Sequence, residues 1–205
     1  LNVTFLFVVG IVISNYQKAT VELEDAYELQ YKSLLLAQEL RQSSDDLTRM
    51  ARTYVITGNP MFEEQFNMVL DIRNGVIPRP VRYYGIFWDF LTLQGAKPKL
   101  DGQTISLREL MKQSNFTQDE LNMLLSSQNE SDYLTNLETK AMYAVKGIFQ
   151  DKNGEYTIKG EPNFKLAREI MHSDEYHEAK IKIMKPLDEF YRSFEKRTKK
   201  RVTQA

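Results

Sequence analysis

The feature that most constrains the fold is a helical pattern that runs without a break over residues 16–54. Apolar side chains recur there about every 3.5 residues, the spacing that places them on one face of an α-helix. The segment contains neither glycine nor proline, the residues that most often interrupt a helix. A helix of this length, rising about 1.5 Å per residue, would be roughly 55–60 Å long. Such a rod predicts a bundle of long helices.

The apolar run LNVTFLFVVGIVI precedes this helix at residues 1–13 and carries no charge. A membrane-spanning helix needs about 20 apolar residues, so the run is too short to cross a bilayer alone. Because the sequence begins inside the run and no small-residue cleavage site follows, we expect residues 1–15 to be the end of an N-terminal transmembrane anchor. A signal-peptide core and a buried helix of a soluble protein are the alternatives. Residues 16–205 would then form one helical domain outside the membrane.

Composition argues against several classes of function. The 205 residues include 27 basic and 28 acidic side chains, and a net charge of -1 gives no support for a nucleic-acid partner. Cysteine is absent, which excludes disulfides, thiolate zinc sites and cysteine nucleophiles. The sequence has no phosphate-binding loop, dinucleotide fingerprint or serine-nucleophile elbow. We therefore expect a domain that is not an enzyme and holds no cofactor.

Apolar periodicity and capping residues predict the remaining helices. Ser106 with Glu109, and Thr117 with Glu120, match the capping box, in which both side chains bind free backbone N–H groups at a helix start. Residues 155–158 are weakly strand-like and suggest half of a minor hairpin. We predict an all-α fold: a four-helix-bundle-like core of long helices with a cap or side layer of shorter ones. The long helices are expected at residues 16–54, 118–150 and 174–200, and the short ones near 60–74, 81–94, 106–114 and 163–171.

Residues 52–80 concentrate helix-ending residues and polar side chains. Gly58 and Gly75 are predicted to end the first and second helices, since a residue just past a helix end often needs a left-handed backbone. Arg52 lies at one end of this helical hairpin and Arg73 at the other. A guanidinium group holds a carboxylate or phosphate through two parallel hydrogen bonds, so the hairpin is a candidate ligand cradle. The alternative is that these groups only cap helix ends and hold a tight turn.

An aromatic-rich segment, VRYYGIFWDFL, follows at residues 81–91. It contains Trp88, the only tryptophan, and it supplies either core side chains or the wall of a small-molecule site with Asp89 as a polar group. The two histidines, His172 and His177, lie five residues apart, whereas a separation of four places two histidines on one helical face. We therefore expect them to take part in polar packing or helix capping and not to bind a metal.

The polar groups of these short segments predict one ligand site, where the hairpin meets the aromatic segment and the start of the last helix. Binding pockets combine apolar walls with a few convergent polar groups. Two arginines favour an anionic ligand, unless Asp71 or Asp89 neutralises one of them. No catalytic or metal-binding residue is predicted. The predicted ligand-binding residues are Arg52, Tyr54, Arg73, Asn74, Tyr83, Trp88, Asp89, His172 and His177.

Eight segments of residues 38–198 resemble a known family. They are ARTYVITGNPMFEEQF, IRNG, PRP, WDF, ISLRELM, AMYAVKG, MHSDEYHEAK and KPLDEFY. Together they are similar to a helical extracytoplasmic sensor module of membrane-bound bacterial histidine kinases, chemoreceptor-like proteins and cyclic-di-nucleotide enzymes. The resemblance implies that the module lies between two transmembrane helices of the bacterial inner membrane. Its soluble part would be periplasmic, and an output domain would follow the second span.

These observations predict a ligand-sensing domain of a bacterial membrane receptor. A small, anionic molecule or a periplasmic protein would bind the cap and change the relative position of the first and last long helices. Because paired helices can pass a movement through a bilayer, we expect a homodimer. The alternatives are a helical module that recognises a periplasmic binding protein and a membrane-anchored metal-dependent enzyme.

Overall fold

A computed structural model describes residues 2–81, 83, 86–91 and 99–204, with side chains of those ranges described between residues 5 and 199. The prediction of an all-α fold is confirmed. A short antiparallel hairpin is the only sheet among the described residues. The elements are α1 (Asn2–Thr57), α2 (Pro60–Asn74), a 3-10 helix (Phe87–Leu91), α3 (Leu107–Gln113), α4 (Gln118–Val145), β1 (Ile148–Gln150), β2 (Tyr156–Lys159), α5 (Phe164–Met171) and α6 (Asp174–Gln204).

Helix α1 is a single helix of 56 residues that includes the apolar run at the start of the chain. Its side chains are mostly exposed up to about residue 32, and its packed part begins at Ser33, which is buried. Among the helices of the described residues, none has an apolar stretch long enough to cross a membrane. The anchor expected at residues 1–15 stays a prediction, and Leu1 lies outside the described residues.

The predicted boundaries of α2 are confirmed, and local chemistry explains them. The Asn59 side chain accepts a hydrogen bond from the backbone N–H of Met61, which satisfies a free donor at the start of the helix. Gly75 ends the helix with φ of 71°, a left-handed conformation that other residues rarely adopt. A Cβ atom on Gly75 would lie 2.5 Å from the backbone nitrogen of Ser106, so this turn also packs closely on the segment before α3.

Three long helices form the bundle. Helices α4 and α6 pack along each other most extensively, and both also contact α1. Helix α2 lies against α1, and α5 lies against α4. The capping box of Thr117 and Glu120 starts α4 as predicted. Helix α4 ends at Val145, five residues earlier than expected, because residues 148–150 pair with Tyr156–Lys159 as a hairpin.

The helix predicted near residues 81–94 is wrong in the part that the structure describes. Only Phe87–Leu91 is helical, as a 3-10 turn, and Val81, Tyr83 and Ile86 are not in a helix. The start of this region is hydrogen-bonded to another segment instead, since the N–H of Val81 donates to the Asp101 carboxylate at 3.2 Å. Tertiary partners thus replace the bonds that a helix would make. Residues 82, 84, 85 and 92–98 lie outside the described residues.

Candidate functional site

A groove with mostly apolar walls lies between α1, the segment after α2, and α3. Its volume is about 320 Å³, near the lower end of the usual range for small-molecule sites, about 300–1,000 Å³. Helix α1 supplies one wall because Leu35, Leu36 and Glu39 fall on neighbouring positions of its surface. The lining residues are Lys32, Leu35, Leu36, Glu39, Arg79, Pro80, Val81, Tyr83, Leu110 and Ser114.

Glu39 and Arg79 form an ion pair in this groove. Nη1 of Arg79 donates to Oε2 of Glu39 at 3.1 Å, and Nη2 lies 3.1 Å from Oε1. Both side chains are only 13% exposed, so the pair is shielded from water. Burial raises the pKa of Glu39, and the charge of Arg79 opposes that shift. Among the described residues, Nε of Arg79 has no hydrogen-bond partner.

Aromatic side chains and a second carboxylate lie beneath the groove. Tyr83 packs edge-on against Trp88, with ring centroids 6.3 Å apart. In the described part of the chain, neither the Tyr83 hydroxyl nor the Trp88 indole N–H has a partner with full hydrogen-bond geometry. Burial raises the pKa of Tyr83, and the nearby Trp88 N–H opposes that rise. Asp46 lines a small void with these rings. Burial raises the pKa of Asp46 to about 6, against the effect of its bonds to Gln42 and Arg49.

The nine predicted site residues lie in several places. Tyr83 lines the groove, and Trp88 lies directly beneath it. Asp89 is exposed and pairs with Arg49. Asn74 is exposed at the end of α2. The structure therefore brings two of the nine residues to the groove and leaves these other two outside it.

Arg73 lies in the core instead of in the groove. Its side chain is 1% exposed, and its Nη1 donates to the Ser131 hydroxyl at 2.8 Å. Its Nη2 donates to the Asp132 carboxylate at 2.7 Å. These contacts tie α2 to α4. The role of Arg73 is thus structural, although it differs from the helix capping and turn holding that the alternative interpretation of the hairpin expected. Tyr54 is also buried, and burial raises its pKa.

The other three predicted residues meet where α1, α5 and α6 join. Arg52 donates to the carbonyl of Met171 at 3.1 Å and stacks over the Tyr176 ring. His172 and His177 are exposed there. Burial first, and then the nearby charges of Arg52 and His177, lower the pKa of His172. In the described ranges, no three His, Asp or Glu side chains form a group that could hold a metal ion.

Two more buried polar contacts hold the long helices together. The first, here called the three-helix junction, consists of Thr48 on α1, Glu138 on α4 and Tyr176 on α6. Oε1 of Glu138 accepts from the Tyr176 hydroxyl at 2.7 Å and from the Thr48 hydroxyl at 3.1 Å. Oε2 of Glu138 has no partner in the described part of the chain. Burial raises the pKa of Glu138 to about 7.

The second contact is the pair of Glu120 and Arg197. The guanidinium of Arg197 donates from Nε to Oε1 at 2.7 Å and from Nη2 to Oε2 at 2.9 Å. Glu120 is fully buried, and it also accepts from the backbone N–H of Thr117 in the capping box. This pair joins the beginning of α4 to the last turns of α6.

Sequence reasoning missed Glu39 and Arg79, the charged pair of the groove. Glu39 lies in the middle of the long helical pattern, where an acidic residue normally marks a solvated face. Arg79 stands between two prolines, in an extended segment, and that position was the one available signal. The two residues are forty positions apart, so their contact follows only from the fold.

Comparisons with family models, curated proteins and solved structures find no match to this chain. The function is therefore argued from the groove and from the helices that surround it.

Proposed function

We propose that the chain is the ligand-sensing, extracytoplasmic domain of a bacterial membrane receptor, and that its ligand binds in the groove. The observation that carries this proposal is the continuity of α1. One unbroken helix supplies the wall of the groove at Leu35, Leu36 and Glu39, and it also contains the apolar segment of residues 5–13. A change at the groove wall can therefore move a helix that reaches a membrane. The resemblance to bacterial extracytoplasmic sensor modules supports the same function.

The exposed apolar side chains at the start of α1 support attachment to a membrane. No charged residue occurs from residue 5 to residue 17. Large apolar side chains left in water favour transfer to lipid or to a partner. The exposed apolar residues of this segment are Phe5, Leu6, Phe7, Val8, Ile11, Val12 and Ile13.

Removing residues 1–15 tests this attachment. We expect the shortened chain to keep its unfolding temperature and its circular dichroism spectrum, since the described side chains of this segment, from residue 5 on, are almost all exposed. We also expect it to stop floating with liposomes in a density gradient. If the shortened chain unfolds, the segment belongs to the core and the anchor proposal is wrong.

The end of α6 lies beside the exposed part of α1. Ala26 and Gln30 of α1 share a small cavity with Phe194 and Thr198 of α6. Both helices thus continue toward the same end of the bundle, which supports a signal carried by their relative position. In this proposal the two helices have two relative positions in equilibrium. A ligand shifts that equilibrium only if it binds one arrangement more tightly than the other.

Spin labels on α1 and α6 provide the test, because the chain has no native cysteine. The pair Asp25→Cys and Lys196→Cys places both labels on exposed positions of these two helices. A thermal-shift screen against small metabolites first identifies a stabilising compound, since a ligand that binds only the native state raises its stability. Electron–electron distance measurements then compare the labelled protein with and without that compound.

We expect the compound to shift the distance distribution between α1 and α6. The control pair is Asn122→Cys and Glu189→Cys, which line a surface groove between α4 and α6 and should keep one distribution. Unchanged distances between α1 and α6 at a saturating concentration would contradict signalling through these helices. If no metabolite stabilises the protein, direct sensing is wrong, and recognition of a periplasmic binding protein becomes the better proposal.

A further inference from the structure

We propose that the groove takes an uncharged, largely apolar molecule that presents a hydrogen-bond acceptor, such as a ketone or ester carbonyl, to Tyr83 and Arg79. This inference rests on the proposed sensing function and narrows it to one class of ligand. It also replaces the anionic ligand that the two arginines of the helical hairpin suggested, because both of those arginines are engaged elsewhere.

The walls of the groove define the body of the ligand. Leu35 and Leu36 on α1, Leu110 on α3, and Pro80 and Val81 form an apolar surface that is open to water. Covering such a surface removes apolar area from water, which stabilises the complex. An aliphatic or aromatic body therefore supplies most of the affinity.

The charges of the groove oppose an ionic ligand. Arg79 is paired with Glu39 at 3.1 Å in a site that is shielded from water. Lys32 is paired with Glu28 at 2.7 Å, and both are 64% exposed, so an anion would gain little from this hydrated ammonium. A carboxylate would also approach Glu39 and Asp46. A charged ligand would thus be buried without a free partner, which costs far more than burying a neutral polar group.

Two donors remain for a neutral acceptor. The Tyr83 O–H and the Nε–H of Arg79 donate to no acceptor among the residues described, since the Trp88 indole beside the Tyr83 oxygen is itself a donor. Both atoms are closed to solvent. A buried polar group without a partner raises the energy of the free protein. A ligand carbonyl removes that penalty at Tyr83 when the ring turns toward the groove, and at Nε of Arg79 while the two Nη atoms keep their contacts with Glu39. Because Tyr83 packs edge-on against Trp88, this turn changes the surroundings of the only tryptophan.

Three probes with one apolar body and different polar groups test the class: 4-phenyl-2-butanone, which is neutral, 4-phenylbutyrate, an anion, and 4-phenylbutylamine, a cation. Titration calorimetry at pH 7 gives the affinities, and Trp88 fluorescence reports binding at the groove. We expect the ketone to bind about tenfold or more tightly than either ion, because only the ions bury an unpaired charge. Tighter binding of the anion or the cation would overturn the inference.

Tyr83→Phe tests the hydrogen bond. It should lower the affinity of the ketone about three- to tenfold, the effect of losing one such bond. The matched control is Tyr133→Phe, at an exposed tyrosine of α4, which should leave the affinity unchanged. Equal affinities of the ketone for the wild-type protein and Tyr83→Phe would overturn the assignment of this donor.

Failure of this inference is distinguishable from failure of the sensing function. If no member of the phenyl series binds at millimolar concentration, the ligand class is wrong. A metabolite that stabilises the protein and moves α1 relative to α6 would still support sensing. If the ketone binds with the expected preference but leaves the distance between α1 and α6 unchanged, the ligand class holds and the signalling proposal fails.

Discussion

Glu120 and Glu138 lie on the same helix, α4, and both are buried, but their surroundings differ. Glu120 receives two hydrogen bonds from the guanidinium of Arg197. Glu138 receives its hydrogen bonds from the hydroxyls of Thr48 and Tyr176, and no cation lies within ion-pair distance of it in the described part of the chain. The first carboxylate is thus neutralised by a charge, and the second is only solvated by neutral groups.

This difference separates a permanent contact from a proton-dependent one. A guanidinium stays charged across the physiological pH range, so the Glu120–Arg197 pair joins α4 to α6 under all ordinary conditions. Burial disfavours the charged form of a carboxylate, and hydrogen bonds from hydroxyls alone stabilise it only weakly, so its pKa rises. The charges of Lys180 and Arg73 reach Glu138 from α6 and α2 and oppose this rise, but burial prevails and the pKa is about 7. The three-helix junction should therefore respond to pH near 7.

The largest loss of stability is expected for Arg197→Ala. This change leaves the fully buried Glu120 without its cation, and breaking a buried pair from one side costs about 3–5 kcal/mol. Chemical denaturation at pH 7 measures the loss. The control is Arg192→Ala, which removes an exposed pair with Asp188 and should cost less than about 0.5 kcal/mol. Equal losses in the two variants would show that the buried pair is no stronger than a surface one.

The next effect is the pH dependence of stability that Glu138 causes. Its pKa is raised from 4.5 to about 7 in the folded protein, so between these values the folded state holds a proton that the unfolded state has released. The free energy of unfolding should therefore fall as the pH rises through this window, by on the order of 3 kcal/mol. Denaturation curves at a series of pH values measure it.

Glu138→Gln is the matched variant, since its amide oxygen still accepts from Tyr176 and Thr48. Asp46, with a pKa raised to about 6, contributes a slope of the same sign at lower pH and is present in both proteins. The difference between the two pH curves therefore isolates Glu138. Parallel curves for the wild-type protein and the variant would mean that Glu138 does not titrate in this range.

The smallest effect is expected for Tyr176→Phe. Loss of one hydrogen bond should destabilise the protein by about 1 kcal/mol at pH 8, where Glu138 is charged. The Tyr176 hydroxyl lowers the pKa of Glu138, so its removal should also move the midpoint of the pH transition upward. Tyr133→Phe, at an exposed position of the same bundle, should change neither quantity. An unchanged midpoint in Tyr176→Phe would mean that this hydroxyl does not set the protonation of Glu138.

The sequence determined the elements whose signals are local. The capping box of Thr117 and Glu120, the left-handed Gly75 and the unbroken apolar repeat of α1 are properties of neighbouring residues. They placed the start of α4 and the ends of α1 and α2 close to the observed boundaries, whereas α1 begins at Asn2 and not near residue 16. Secondary structure of this kind is decided within one or two helical turns. The all-α class followed from it.

The tertiary structure decided which polar groups meet. Three hydrogen-bonded pairs join residues that are far apart in the sequence: Arg197 with Glu120, 77 positions apart, Tyr176 with Glu138, 38 apart, and Arg79 with Glu39, 40 apart. It also removed Arg73 from the predicted site, because a guanidinium that reaches Ser131 and Asp132 is enclosed by α4. Helix periodicity predicts which face of a helix is buried, but not which residue of another helix lies opposite it. The groove, like the three-helix junction, exists only because such distant faces pack together.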